Sequence, residues 1–190
     1  MIRGKDVPWN YTITWFLITT PIMYVIYLAI GLINAIQIIL KNSSKHTIFH
    51  GFMLGSIFIG IIAPILFSST LYDSWRHSFY VFPFLAFHMA LGFFYVVKKI
   101  LILRNTNNKV LVFFIVFVAT FFEPVMKIIT LHPHQQIYFN LFAGKDPMEK
   151  YEGDYWCASV KEGLEWIINN DKRETINIVN SENCPAKKNI

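Results

Sequence analysis

The chain has 190 residues, of which 54% are hydrophobic, 17% aromatic and 15% charged, and its formal net charge is +5. A soluble domain carries less apolar and more charged residue than this, so composition excludes a soluble enzyme or binding module and identifies an α-helical integral membrane protein. The positive charge falls mainly in short loops between apolar runs, which leaves no support for a nucleic-acid partner.

Residues 1–14 form a polar lead, Gly4-Lys5-Asp6-Val7-Pro8-Trp9-Asn10-Tyr11, that enters the first apolar run through the aromatic belt of Trp9, Tyr11 and Trp15. It lacks the basic end, apolar middle and cleavage site of a signal peptide and reads as an extracytoplasmic loop rather than a natural beginning. A membrane-crossing helix needs about 20 apolar residues. Four runs qualify, at residues 15–40, 48–69, 79–97 and 110–131, so residues 15–131 make a four-span region. The run Val110-Leu-Val-Phe-Phe-Ile-Val-Phe-Val118 does not alternate as a barrel strand would, which leaves helices.

Orientation follows from basic residues in the short loops. Lys41 and Lys45 follow the first run and Lys98, Lys99, Arg104 and Lys109 the third, six on one side; the other side has three, Arg3, Lys5 and Arg76. The six-residue side is expected in the cytoplasm, placing both termini outside.

Within the spans, Gly51-x-x-x-Gly55 with Gly60 and Ala63 predicts a small-residue face for close helix packing. Asn34 and Gln37 are expected to hydrogen-bond between helices. In the fourth run Glu123 and Lys127 stand four apart and are expected to pair with each other, while Pro124 predicts a kink. An alternative is that Glu123 and Lys127 line a translocation path, since ionisable groups inside a span face a cavity or a partner.

Between the second and third runs lies the densest polar cluster, Leu71-Tyr72-Asp73-Ser74-Trp75-Arg76-His77. Arg76 offers a planar fork of donors, His77 a further donor, Asp73 an acceptor that can orient Arg76, and Tyr72 a hydroxyl beside the interfacial ring of Trp75. That set suits a lipid phosphate. The competing reading makes Tyr72 and Trp75 belt anchors and lets Arg76 snorkel to headgroups.

Residues 132–190 are a polar tail, expected to be a small α+β extracytoplasmic unit. It opens with His132-Pro133-His134-Gln135-Gln136-Ile137-Tyr138-Phe139-Asn140, where His132, His134, Tyr138 and Asn140 are candidates for an outer site. His132 and His134 have no third ligand at a recognised spacing, so no metal site is assigned. Residues 159–170 predict a helix, capped by Ser159 with Glu162 as its capping-box partner, and 175–179 a short strand. Cys157 and Cys184 both fall in this tail, and the sequence leaves open whether they are bridged.

Three separated motifs, Tyr72-Asp73-Ser74-Trp75-Arg76-His77, then His132 through Asn140, then Asp154-Tyr155-Trp156 ahead of Lys161-Glu162-Gly163-Leu164-Glu165-Trp166, resemble the C-terminal part of bacterial GT-C superfamily glycosyltransferases, related to the protein mannosyltransferases and aminoarabinose transferases. The resemblance runs from Pro8-Trp9 to the tail helix. It implies a multi-pass protein of the bacterial cytoplasmic (inner) membrane whose partners are a polyprenyl-phosphate-linked sugar and membrane lipid, with transfer on the extracytoplasmic side. Family members carry an acid in the loop after their first helix, acting as general base or metal-associated acid. Here that loop is Lys41-Asn42-Ser43-Ser44-Lys45, without a carboxylate. Four spans are also too few for the complete fold. The expectation is therefore a C-terminal fragment that binds lipid phosphate, has no catalytic residue assigned, uses no cofactor of its own and partners with an N-terminal half; a divalent metal is implied only for the complete enzyme. The alternative is a small membrane scaffold or accessory subunit without catalysis.

Overall fold

A computed structural model of the chain describes residues 7–41, 44–71, 73–103, 108–154 and 156–173, the side chains of residues 44, 45 and 103 excepted. The helices are α1 (Tyr11–Thr19), α2 (Ile22–Leu40), α3 (Ser44–Leu66), α4 (Phe82–Leu103), α5 (Lys109–Thr130), α6 (Pro147–Lys150) and α7 (Val160–Asn170), with 3₁₀ turns at Arg76–Val81, Gln135–Ile137 and Leu141–Ala143. Four helices are long and apolar enough to cross a membrane: α2, α3, α4 with its preceding turn, and α5.

The first apolar run is two helices rather than one. Proline lacks the amide that would bond one turn back, its ring clashes with the carbonyl there, and the residue before it is pushed towards extended backbone. Thr20 accordingly adopts φ −103° and ψ 135°, and Pro21 leads into α2. The 19 residues of α2 span about 28 Å at 1.5 Å per residue, enough to cross alone. Helix α1, with nine residues, cannot. The third predicted span begins earlier and ends later than hydropathy suggests, at Arg76–Ile102, because the 3₁₀ turn feeds α4 directly. Helix α5 is capped by Asn108, whose Oδ1 accepts from the Leu111 amide at 3.2 Å, and runs unbroken through Pro124.

Lipid supplies no hydrophobic drive between helices, so close fit must hold them. The closest approach is α2 against α4. A Cβ on Gly31 would lie 1.8 Å from the His88 carbonyl oxygen, and one on Gly92 would lie 1.9 Å from that of Tyr27. The predicted small-residue face on α3 is a correction: Gly51 and Gly55 have nothing within 4 Å of a would-be Cβ, and only Gly60 packs tightly, against Val81. Asn34 and Gln37 form no side-chain hydrogen bond among the described residues; α2 and α5 are instead joined by the Tyr27 and Thr120 hydroxyls, 2.8 Å apart.

Two apolar clusters follow. Phe16, Leu28, Ile57, Val81 and Leu85 fill the bundle, while Trp15, Ile18 and Ala143, with Tyr11, Phe139 and Tyr151 beside them, join α1 to the tail. Trp75 packs on both. Lead, 71–81 turn and tail therefore meet at one end of the bundle, called here the tail end. The described tail, to residue 173, contains helices and 3₁₀ turns and no strand, so the α+β description is not supported there; the strand expected at 175–179 lies outside the described residues.

Candidate functional site

The 71–77 turn keeps its shape through two successive residues in the left-handed region, Asp73 (φ 57°) and Ser74 (φ 62°). Such backbone is tolerated better by Asp than by most side chains, which explains an acid at the corner. Trp75 then turns inwards. Its Nε1 donates to Thr19 Oγ1 at 3.0 Å, Thr19 donates on to the Trp15 carbonyl at 2.7 Å, and the indole packs edge-on against Phe16 at 5.3 Å. These contacts lock the turn to α1.

With the turn locked, Arg76 projects beside Asp73. Arg76 Nη1 donates to Asp73 Oδ2 at 3.2 Å, and the same oxygen accepts from Trp156 Nε1 at 2.9 Å. The guanidinium lies 5.1 Å from the Trp156 ring centroid, an attractive cation–π placement worth about 0.5–1 kcal/mol at an exposed site. An exposed ion pair of this kind adds about 0–1 kcal/mol, so the contacts orient Arg76 more than they stabilise the fold. The Arg76 side chain remains 58% exposed with its other donors open to an anion. His77 is exposed in the same 3₁₀ turn, and Tyr72 lies outside the described residues. Trp156 was not among the expected site residues, although its motif was; only the folding-back of the tail puts it over Arg76.

Tyr11 belongs to the same surface. Burial pushes its hydroxyl up to about 12, and the negative charges of Glu152 and Asp73 act in the same direction, so it stays neutral.

The four tail candidates do not converge. Asn140 is 6% exposed and ends α1: its Nδ2 donates to the Leu17 and Thr20 carbonyls, both at 2.6 Å, its amide donates to Ile18 at 2.8 Å, and its Oδ1 accepts from the Phe142 amide at 2.8 Å. Those are carbonyls a helix C-terminus leaves without partners, made worse here by the break at Pro21. Tyr138 donates to Glu123 Oε1 at 2.7 Å, and its hydroxyl is pushed well above the ordinary range by burial, then by that carboxylate. The expected Glu123–Lys127 pair is a correction: among the described residues Glu123 forms no ion pair, and Tyr138 takes its place. His134 Nε2 meets Glu162 Oε2 at 2.6 Å, tying the tail to α7, and His132 Nδ1 sits 3.1 Å from Gln135 Nε2. Asn140 and Tyr138 thus fasten the tail to α1 and α5, and His134 ties the tail's opening segment to its own helix α7. No three His, Cys, Asp or Glu side chains among the described residues gather as metal ligands would.

The start of α7 also differs from expectation. Ser159 occupies the N-cap position without a capping bond, and Glu162 is engaged by His134. Asp154 does the work from outside the helix, accepting from the Ala158 amide at 2.8 Å, the Ser159 amide at 3.0 Å and the Ser159 hydroxyl at 2.5 Å. Burial alone would raise its carboxyl, but the bonds from Ser159 and Ala158 prevail and hold it below the ordinary carboxylate range. Cys157, at φ 58°, is disulfide-bonded; Cys184 lies outside the described residues.

What the arrangement offers is one oriented, accessible guanidinium on a fixed turn at the membrane boundary, walled by aromatic side chains and flanked by an imidazole. Against this geometry no protein-family model, no curated protein and no solved structure matches the chain.

Proposed function

We propose that this chain supplies the lipid-phosphate-binding, outer-surface part of a polyprenyl-phosphate-sugar-dependent membrane glycosyltransferase of the GT-C type. The observation that carries the reading is Arg76, held between Asp73 Oδ2 and the Trp156 ring yet 58% exposed. A planar guanidinium fixed in this way is suited to two parallel bonds to a phosphate, and it would stabilise the negative charge left on the lipid phosphate when the sugar departs. The three sequence motifs support the same reading, since two of them, around Arg76 and Trp156, meet in space. The asymmetry of basic residues supports the tail end facing away from the cytoplasm, and the resemblance of the motifs implies a bacterial inner membrane. Asp73, the carboxylate beside Arg76, is already accepting two bonds, so no general base for an acceptor hydroxyl is assigned to it.

The test is binding of polyprenyl phosphate to the full chain in lipid nanodiscs. A charge-assisted bond contributes roughly 1.5–3 kcal/mol, so Arg76→Ala should weaken binding about tenfold to a hundredfold. Arg76→Lys should fall between, because lysine keeps the charge and loses the fork. Lys98→Ala, at the opposite end of the bundle, should change little. Equal binding by wild type and Arg76→Ala would leave a scaffold. That second reading has its own support: Asn140 and Tyr138 fasten the tail to the bundle, and His134 braces the tail internally.

A further inference from the structure

Two cavities lie end to end along the seam between α2 and α5. The first, about 440 Å³, is lined on α2 by Tyr24 and Tyr27 and on α5 by Phe117, Thr120 and Phe121, with α4 forming its third wall. The second, about 150 Å³, continues at the tail end, one turn along each helix, between Pro21 and Pro124; its walls are mostly apolar, with Ile128 and Leu131 beside Lys127, Gln135 and Tyr138. The larger cavity is apolar in character, because the Tyr27 and Thr120 hydroxyls within it satisfy each other. The smaller one has a cation. Lys127 has no ion pair among the described residues, and Glu123, the acid one turn before it, is engaged by Tyr138 and does not line the pocket. Gln135 spends its amide on the Ile128 carbonyl and His132, which leaves Lys127 as the charged donor of the pocket.

We propose that this seam binds a single anionic glycerophospholipid, with one acyl chain in the groove and the phosphate at Lys127. Volume favours that occupant. At about 30 Å³ of liquid volume for a water or a methylene, the groove has room for at least an acyl chain of roughly 15 carbons and the pocket for a phosphate-sized group. That accommodates one acyl chain and one phosphate. Charge complementarity selects the headgroup, since lysine binds phosphate as a point charge at a membrane boundary. The seam is independent of the Arg76 turn and needs no part of the glycosyltransferase reading.

The test uses the full chain in phosphatidylcholine nanodiscs containing a trace of phosphatidylglycerol with a photoactivatable acyl chain. Labelling is expected on the α4 and α5 peptides that contain Met89 and Phe117. Lys127→Ala should reduce it about tenfold, the effect of losing one charge-assisted bond, while Lys127→Arg should retain most of it. The matching diacylglycerol probe, which lacks the phosphate, should label wild type only at the Lys127→Ala level. Filling the groove with Ala90→Trp, or with the smaller Ala86→Leu if the first variant elutes as aggregate, should abolish labelling while Lys127 is intact. Arg76→Ala should leave the label in place; its loss there would merge the two sites and overturn the proposal. Displacement of the probe by millimolar inorganic phosphate would assign Lys127 to free phosphate and overturn it too. So would equal labelling by both probes in every variant, which would mean bulk lipid contact alone.

Discussion

The interface between α2 and α4 and the cap at the tail end are built on opposite principles. Inside the bundle, Gly31 and Gly92 let two backbones touch, so contact depends on the absence of side chains. At the tail end, Asn140, Trp75, Tyr138 and Asp73 reach across between elements, so contact depends on side chains of particular length and polarity. Lipid cannot compete for hydrogen bonds but fills any gap, which rewards fit. Water competes for every bond at the cap, so there each tie has to be buried or aromatic-walled to count. A cap of that kind can carry an exposed guanidinium in a fixed direction; the glycine interface gives it a rigid base.

The sharpest break should come from the glycines. Gly31→Leu or Gly92→Leu forces side-chain atoms into a facing carbonyl, and should cost upwards of about 3 kcal/mol, read as loss of monodisperse protein or a collapsed unfolding midpoint. Gly51→Leu, with open space around it, should leave that midpoint nearly unchanged. A large cost at Gly51 and none at Gly31 would invert the comparison.

A smaller effect belongs to the cap. Asn140→Ala strands the carbonyls of Leu17 and Thr20 and should cost about 1–3 kcal/mol, with protease sensitivity appearing in the tail while the spans stay protected. Uniform loss of protection across spans and tail would mean that the two regions are not separate.

The smallest is a dependence on pH at the start of α7. Asp154 has its folded pKa depressed, so its contribution is complete above the unfolded value, near 3.8, and is lost as pH falls below that through the lower folded value. Amide protection of Ala158 and Ser159 should therefore hold at pH 5 and decline only below about pH 4. Asp154→Asn should remove that decline; persistence of it would place the titrating group elsewhere.

Much of this was legible in the residues and some was not, for identifiable reasons. The spans were, because a bilayer demands long apolar runs and α3 and α5 fall close to the boundaries hydropathy gives. The break between α1 and α2 was signalled by Pro21 but masked by apolar residues on both sides of it. Gly51-x-x-x-Gly55 misled because a motif on one helix says nothing of where the neighbour lies, whereas Gly31 and Gly92 acquire meaning only as a pair from two helices. Glu123 was matched to Lys127 by local spacing; Tyr138 prevailed because the tail folds back, a fact that no local spacing carries. Asp73 beside Arg76 was legible since three residues in a turn must be neighbours, and Trp156 was not, being 83 residues away from Asp73 in the chain.

The central claim is that Arg76, fixed by Asp73 and Trp156, holds a lipid phosphate. Phosphorus-31 spectra of polyprenyl phosphate in nanodiscs containing the chain test it most directly. A shifted, broadened resonance is expected with wild type and with Lys98→Ala, and a resonance at the free position with Arg76→Ala. The same spectrum for wild type and Arg76→Ala would contradict the account.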